Sequence, residues 1–361
     1  LSTLTHTIAP SRIQTTQTLG GYLFDCLKQE GITEIFGVPG DYNFNLLDAL
    51  EKYEGIQFIS ERNELNSGYA ADGYARVKGI GALITTFGVG VMSACNAIAG
   101  AYSENVPIIH IVGSPKSMEQ KAHKLLHHTL MDGDYDVFRK VYEPITGYTA
   151  ILTPENAEME IPKAIRIAKQ MKKPVYLVVA LDLVMKPVVL QNGQTAEPAK
   201  TNGYSLQTAI AHVRQLLEQA RNAVILVDLK TLRYGLQAHV QKLAEQMNVP
   251  VASMMQGKSA FDETHAQYIG MYDGAFASED VRGIVEGADC VIAVGLVWSD
   301  SNTANYTAKM NFLKTVDIQP SAVKVGEATY TNIMAEDMLN ALQTIGYRQT
   351  KPIPVVSFPY D

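Results

Sequence analysis

Short apolar runs alternate along the chain with stretches in which apolar residues recur every three or four positions. LGGYLFDCLKQEG (19–31) has the helical period, and TEIFGV (33–38), IQFIS (56–60), GALITTF (81–87), PIIHIVG (107–113) and PVYLVVA (174–180) read as strands, with helices between most of them. Such alternation predicts parallel sheets built from βαβ units, and strands this apolar are expected to be buried on both faces. KPVVLQNGQTAEPAKTNGYS (186–205), rich in Pro, Gly, Thr and Asn, marks a boundary. A second series follows it: AVILVDL (223–229), VPVASMM (249–255), CVIAVGL (290–296) and FLKTVDI (312–318). The expected class is therefore α/β, with two doubly wound parallel-sheet domains at 1–185 and 206–345. A linker spans 186–205, and the proline-bearing tail at 346–361 reads as a second linker.

Length agrees with this division, because 361 residues exceed one ordinary core and fit two. A composition 47% hydrophobic and 19% charged is that of a globular protein in water. The net charge of -7 gives no electrostatic reason to bind nucleic acid or an anionic membrane. No apolar run approaches the ~20 residues of a membrane span, and the polar opening LSTLTHTIAPSRIQTTQT reads as a loose arm rather than a signal peptide. Cys26, Cys95 and Cys290 lie in apolar stretches without CxxC spacing, which predicts buried, reduced thiols and a cytoplasmic protein.

Several polar residues stand where chemistry or simple structure would each explain them. Glu64 follows Asn63, a good helix N-cap, so its carboxylate suits the first turn of a helix on capping and dipole grounds alone. Asp41 sits in a PGDYN turn ahead of the helical pattern NLLDALEKY, where turn or cap duty is the ordinary role. His127 and His128 are adjacent, so they diverge on a helix and converge only in a loop. The GVG of FGVGVMSACNAIAGAYSE lacks the third glycine and the downstream acid of a dinucleotide fingerprint. Its small residues Ala94, Ala97, Ala99 and Gly100 suit close helix packing.

Four segments change these readings together: VPGDYN (38–43), RNELNSGYAADGYAR (62–76), FGVGVMSACNAIAGAYSENVP (87–107) and LLHHTLMDGDY (125–135). In order and spacing they resemble the amino-terminal half of the thiamine-diphosphate-dependent 2-keto acid decarboxylases, the pyruvate and indolepyruvate decarboxylase family. The resemblance runs from about residue 15 to about residue 345. It makes the first domain the one that holds the cofactor's aminopyrimidine and the second a middle domain that usually binds no nucleotide.

The resemblance implies that Glu64 bonds a ring nitrogen of the aminopyrimidine, favouring its imino form, and lies buried at a subunit interface. Asp41, His127 and His128 then relay protons above the reactive face, where a histidine can both donate and accept near neutrality. Val38, Pro39, Gly40, Thr86 and Gly88 would join Glu64 against the cofactor. The position of Ser278, in DGAFASEDVR, is aromatic in narrow pyruvate-specific types and small in types accepting indolyl or phenyl groups, so an aromatic or long-chain 2-keto acid is expected. Pyruvate decarboxylation is the alternative, and a catalytically inert binding or regulatory module is another. The His pair followed by TL argues against an acetolactate synthase or benzoylformate decarboxylase relative.

Two departures stand out. Met131 occupies a position usually held by glycine after HHTL, so the loop must either run with ordinary torsions or displace the His pair. The chain also has no Gly-Asp-Gly with a downstream Asn, the segment with which the family holds Mg2+ and the diphosphate. No metal ligands are expected here. The third, diphosphate-binding domain is expected to be absent from this chain and supplied as a carboxy-terminal partner or fragment, within a homo-oligomer of at least a dimer and expectedly a tetramer.

Overall fold

The computed structural model describes residues 17–188 and 199–356. Most of the polar opening, the centre of the 186–205 stretch and the end of the tail lie outside the described residues. Two compact units divide the chain, 1–196 and 197–361.

The first unit runs α1 (Leu19–Gln29), β1 (Glu34–Gly37), α2 (Phe44–Glu51), β2 (Gln57–Ser60), α3 (Glu64–Lys78), β3 (Gly81–Thr86), α4 (Val89–Ser103) and β4 (Ile108–Ser114). It continues through α5 (Ser117–Lys121), α6 (Val137–Tyr142), β5 (Tyr148–Leu152), α7 (Ala157–Met171) and β6 (Val175–Ala180). Its sheet has the order β2-β1-β3-β4-β6-β5 and every pairing is parallel. The central strands β3, β4 and β6 are buried at every residue, as their unbroken apolar runs require. At the edge, β2 has no fully buried residue, so burial on both faces does not extend to it.

Strand order reverses between β1 and β3, which opens a crevice at their carboxyl ends, the usual ligand position in a doubly wound sheet. Helix α3 begins at Asn63, whose side chain accepts the Asn66 N–H at 2.9 Å, and ends at Gly79 in the left-handed region. It lies close on α4: a β-carbon on Gly68 would come within 2.6 Å of that of Ala97. Ala94 and Ala97 are buried as expected from small-residue packing, whereas Gly100 faces open space.

The second unit contains α8 (Gly203–Gln219), β7 (Ala223–Val227), α9 (Leu229–Arg233), α10 (Gln237–Met247), β8 (Val251–Ser253), β9 (Tyr268–Met271), α11 (Glu279–Glu286), β10 (Cys290–Val294), β11 (Thr315–Gln319), β12 (Ala322–Val325), β13 (Ala328–Thr331) and α12 (Ala335–Leu342). The order is β13-β12-β11-β10-β7-β8-β9. Strands β7 to β11 pair in parallel, but β12 and β13 add an antiparallel edge that the sequence pattern did not announce. Residues beyond 346 lie against this unit: Gln349 accepts the Ala223 N–H at 2.9 Å, and Asn248 donates to the Gln349 carbonyl at 2.9 Å. All three thiols are free; Cys26 and Cys290 are buried, while Cys95 is only half-buried.

Candidate functional site at the switch point of the first sheet

The four segments singled out in the sequence all leave the carboxyl ends of strands. VPGDYN follows β1, Glu64 follows β2, FGVG follows β3, and the His pair lies in the long loop after β4. Asn43 closes the first of these turns from inside: its side chain accepts the Gly40 N–H and donates to the Val38 carbonyl, both at 2.9 Å. Its residue is fully buried. This leaves Asp41, at the tip of the turn, free of capping duty.

Asp41 receives both histidines. His127 Nε2 hydrogen-bonds Asp41 Oδ2, and His128 Nδ1 lies 3.7 Å from Asp41 Oδ1. Neither Asp41 Oδ1 nor His128 Nδ1 has a hydrogen-bond partner, although both atoms are buried. The loop that makes adjacent histidines converge is bent at His128 and Met131, both with φ of 60°. Met131 thus adopts the glycine-like conformation, and the His pair still reaches Asp41. Thr129 Oγ1 supports the bend by donating to the Leu126 carbonyl at 2.6 Å and accepting the Met131 N–H at 3.1 Å.

Three glycines bring the segments together. A β-carbon on Gly40 would fall 2.7 Å from Thr86 Cβ, and one on Gly90 would fall 2.9 Å from Glu64 Oε1 and 3.0 Å from Thr86 Cγ2. Gly88, with φ of 67°, carries the carbonyl of His128 where a side chain would begin. Thr86 therefore stands between the Asp41 turn and the Glu64 carboxylate, with its own Oγ1 buried and unpartnered. Glu64 is half-buried within the single chain.

Two residues below and beside this cluster escaped the sequence reading. His110 on β4 is fully buried and shares a 2.9 Å hydrogen bond with Thr85, the neighbour of Thr86. Burial pushes its pKa down to about 3, so it stays neutral near physiological pH. Tyr42 is 7% exposed and stacks on His127 with ring centroids 5.0 Å apart and planes at 18°. Its hydroxyl lies 3.2 Å from the His127 carbonyl and 3.4 Å from His127 Nδ1. Burial, then the Asp41 charge, raises its pKa to about 12.

Buried, unpartnered atoms at Asp41, Thr86 and His128, lined by glycines that leave no side chain in the way, fit an organic group with ring nitrogens. They do not fit Mg2+. Among the described residues the single cluster of three candidate metal-ligating side chains is Asp41, His127 and His128, and a hard cation that prefers six oxygens finds two imidazoles there.

Among the described residues the second unit builds no comparable cluster. Ser278 is exposed and caps α11, its Oγ accepting the Val281 N–H at 3.3 Å. At the switch point between β7 and β10, buried Asp228 accepts from the Val297 N–H and from Asn302 Nδ2, both at 2.7 Å. A β-carbon on Gly295 would fall 2.7 Å from the Thr231 nitrogen and 2.8 Å from Lys230 Cβ, so the turn after β10 packs directly on the start of α9. Gln256 donates its backbone N–H to Asn302 Oδ1 at 3.0 Å.

Residues 17–136 match the N-terminal TPP binding domain of thiamine pyrophosphate enzymes, and residues 210–345 match the central domain of those enzymes. The chain belongs to the thiamine pyrophosphate enzyme family, of which it carries these two domains. Its curated relatives are decarboxylases by name. It is 37% identical over 351 residues to an alpha-keto-acid decarboxylase of Mycobacterium leprae, covering 96% of this chain and 61% of the relative. Pyruvate decarboxylases of Hanseniaspora uvarum and Aspergillus fumigatus are 37% and 40% identical, over 94% and 93% of this chain and 61% and 60% of their own lengths. The chain thus spans about three fifths of the curated relatives it matches. No helix among the described residues is long and apolar enough to cross a membrane.

Proposed function

We propose that this protein works as a thiamine-diphosphate-dependent decarboxylase that converts a 2-keto acid to an aldehyde and carbon dioxide. The observation that carries the reading is the convergence of His127 and His128 on Asp41, beside Thr86 and Glu64, at one switch point. When bound, thiamine diphosphate supplies the electron sink that lets the carboxylate depart.

The residues of this chain do the rest. Glu64 holds a proton against a ring nitrogen of the aminopyrimidine. Val38, Pro39, Gly40, Thr86 and Gly88 shape the cradle around it. Asp41, His127 and His128 deliver the proton that completes the aldehyde and take one up when it leaves. Covering of the exposed Asp41 and His127 side chains in the working oligomer excludes water and favours loss of the carboxylate charge. Mg2+ and the diphosphate are held by a further domain, a reading supported by the unsuitable donor set of Asp41, His127 and His128. The working form is a cytoplasmic homo-oligomer, at least a dimer and by expectation a tetramer; exposed Tyr69, Val89 and Met92 on α3 and α4 favour association.

For the substrate we propose an aromatic or long-chain 2-keto acid, a reading supported by the small Ser278 at a position that the resemblance makes aromatic in narrow pyruvate-specific types. Pyruvate is the second reading, favoured by the names of the relatives. The test is aldehyde release by the full-length protein from phenylpyruvate, indolepyruvate and pyruvate, with thiamine diphosphate and Mg2+. Turnover of any of them supports the reading and ranks the substrates. Cofactor binding with no turnover of any 2-keto acid would defeat it.

A further inference from the structure

The geometry points to Tyr42 as the positioning residue that fixes the ring orientation and tautomer of His127, so that Asp41, His127 and Tyr42 form one file and His128 is left as the histidine with a nitrogen to offer. The inference rests on the proposed function for its consequence in catalysis, but not for its geometry.

An ionised carboxylate only accepts hydrogen bonds, so the bond to Asp41 requires a proton on His127 Nε2. In the neutral ring the lone pair is then on Nδ1, and Nδ1 is the atom that faces the Tyr42 hydroxyl at 3.4 Å. That hydroxyl can donate to Nδ1 or to the His127 carbonyl at 3.2 Å. When His127 gains a proton, Nδ1–H donates to the same oxygen, and the hydroxyl hydrogen turns to the carbonyl. One rotating hydrogen therefore satisfies both protonation states without movement of a heavy atom. Tyrosine joins this hydroxyl to a ring that stacks: serine and threonine lack the ring, and phenylalanine can stack but neither donates nor accepts.

Tyr42 is itself held firmly. Its backbone carbonyl lies over β4, so close that a β-carbon on Gly113 would fall 2.2 Å from it. Its ring stacks on His127 and meets His128 edge-on, with centroids 6.1 Å apart. The stack restricts rotation of the His127 ring, while the two hydrogen-bonding groups define which face each nitrogen presents. His128 has no such brace: its Nδ1 is buried, unpartnered and 3.7 Å from Asp41. His127 is thus the braced member of the pair, and His128 keeps an unpartnered Nδ1.

The test uses Tyr42→Phe, which keeps the stack and removes only the hydroxyl. Heteronuclear NMR on histidine-labelled protein above the imidazole titration reads each ring nitrogen directly. The wild-type chain is expected to show His127 as the Nε2–H tautomer with a hydrogen-bonded Nδ1. In the variant the Nδ1 resonance moves to the position of a bare lone pair, with the same thermal midpoint. An unmoved Nδ1 resonance, or an Nδ1–H tautomer in the wild type, would overturn the proposal. In the full-length protein kcat is expected to fall about tenfold at unchanged KM, the scale of one impaired proton transfer; an unaltered kcat would also overturn it. Absence of turnover in the wild type would defeat the functional reading alone, since the NMR readout needs no substrate.

Discussion

The carbonyl oxygen of His128 stands 1.7 Å from the place a β-carbon on Gly88 would occupy. The turn after β3 and the histidine loop after β4 are therefore in direct backbone contact, and residue 88 can be nothing larger than glycine. Gly88 also has φ of 67°, which a side chain resists. Gly88→Ala is expected to push the loop off Asp41 and to lower kcat at least a hundredfold, since misplacement by about 1 Å reduces catalysis on that scale. The central strands do not depend on this contact, so far-ultraviolet circular dichroism should be unchanged. Wild-type activity in the variant would show that the contact does not position the His pair.

The Glu64 carboxylate lies against the same face of Gly90 as the Thr86 methyl group. Glu64→Gln keeps size and shape and changes only the ability to hold a proton. The expected result in the full-length protein is hydrogen exchange at the thiazolium carbon slowed at least a hundredfold, with a thermal midpoint within about a degree of wild type. An unaltered exchange rate would remove Glu64 from cofactor activation.

The buried strands were legible because β3, β4 and β6 are unbroken apolar runs. By contrast β5, YTAIL, is an edge strand with Ile151 exposed, and in the hairpin AVKVGEATYT exposed Lys324 lies between buried valines while exposed Thr329 and Thr331 alternate with half-buried Ala328 and Tyr330. Such edge strands resemble loops when only continuous apolar runs are sought. At the site, the motifs named Asp41, Glu64 and the His pair by resemblance, but spacing alone could not join them, because they leave three different strands. Tyr42 and Asn43 were in a quoted motif and still overlooked. One acts through a ring stack with a residue 85 positions away and the other through a turn it closes from inside.

Met131 resolves the question posed by its sequence position: it takes φ of 60°. For a side-chain-bearing residue this conformation costs roughly 1 to 2 kcal/mol, and the exposed methionine gains little burial in return. Met131→Gly should remove that strain while adding freedom to the unfolded chain, an opposing effect of about 0.4 to 1 kcal/mol. The net change in unfolding free energy is expected within about 1 kcal/mol of zero, with activity retained. Met131→Ile, branched at Cβ, should instead destabilise the loop and lower activity, because branching makes the left-handed region still less accessible. Chemical denaturation beside aldehyde-release kinetics checks both; an isoleucine variant as active as wild type would show that the loop tolerates another conformation.

Asp228 provides a pH prediction for the second unit. Burial raises its carboxyl to about 6, against the opposing pull of hydrogen bonds from the Val297 and Leu229 backbone and from Asn302. Its Oδ1 is buried without a partner. Unfolding returns the group to an ordinary aspartate value near about 4. Between about pH 4 and 6 the folded state therefore binds more protons than the unfolded one, so this residue's contribution to stability falls as pH rises through that window and is flat above it. The full effect is on the order of 2 to 3 kcal/mol. Asp228→Asn keeps an oxygen to accept from Val297 and Asn302 and removes the charge. The variant's thermal midpoint, compared with wild type, is expected to be similar near pH 4 and clearly higher at pH 7. A difference that is the same at both pH values would show that the Asp228 carboxyl binds its proton equally well in the folded and unfolded protein.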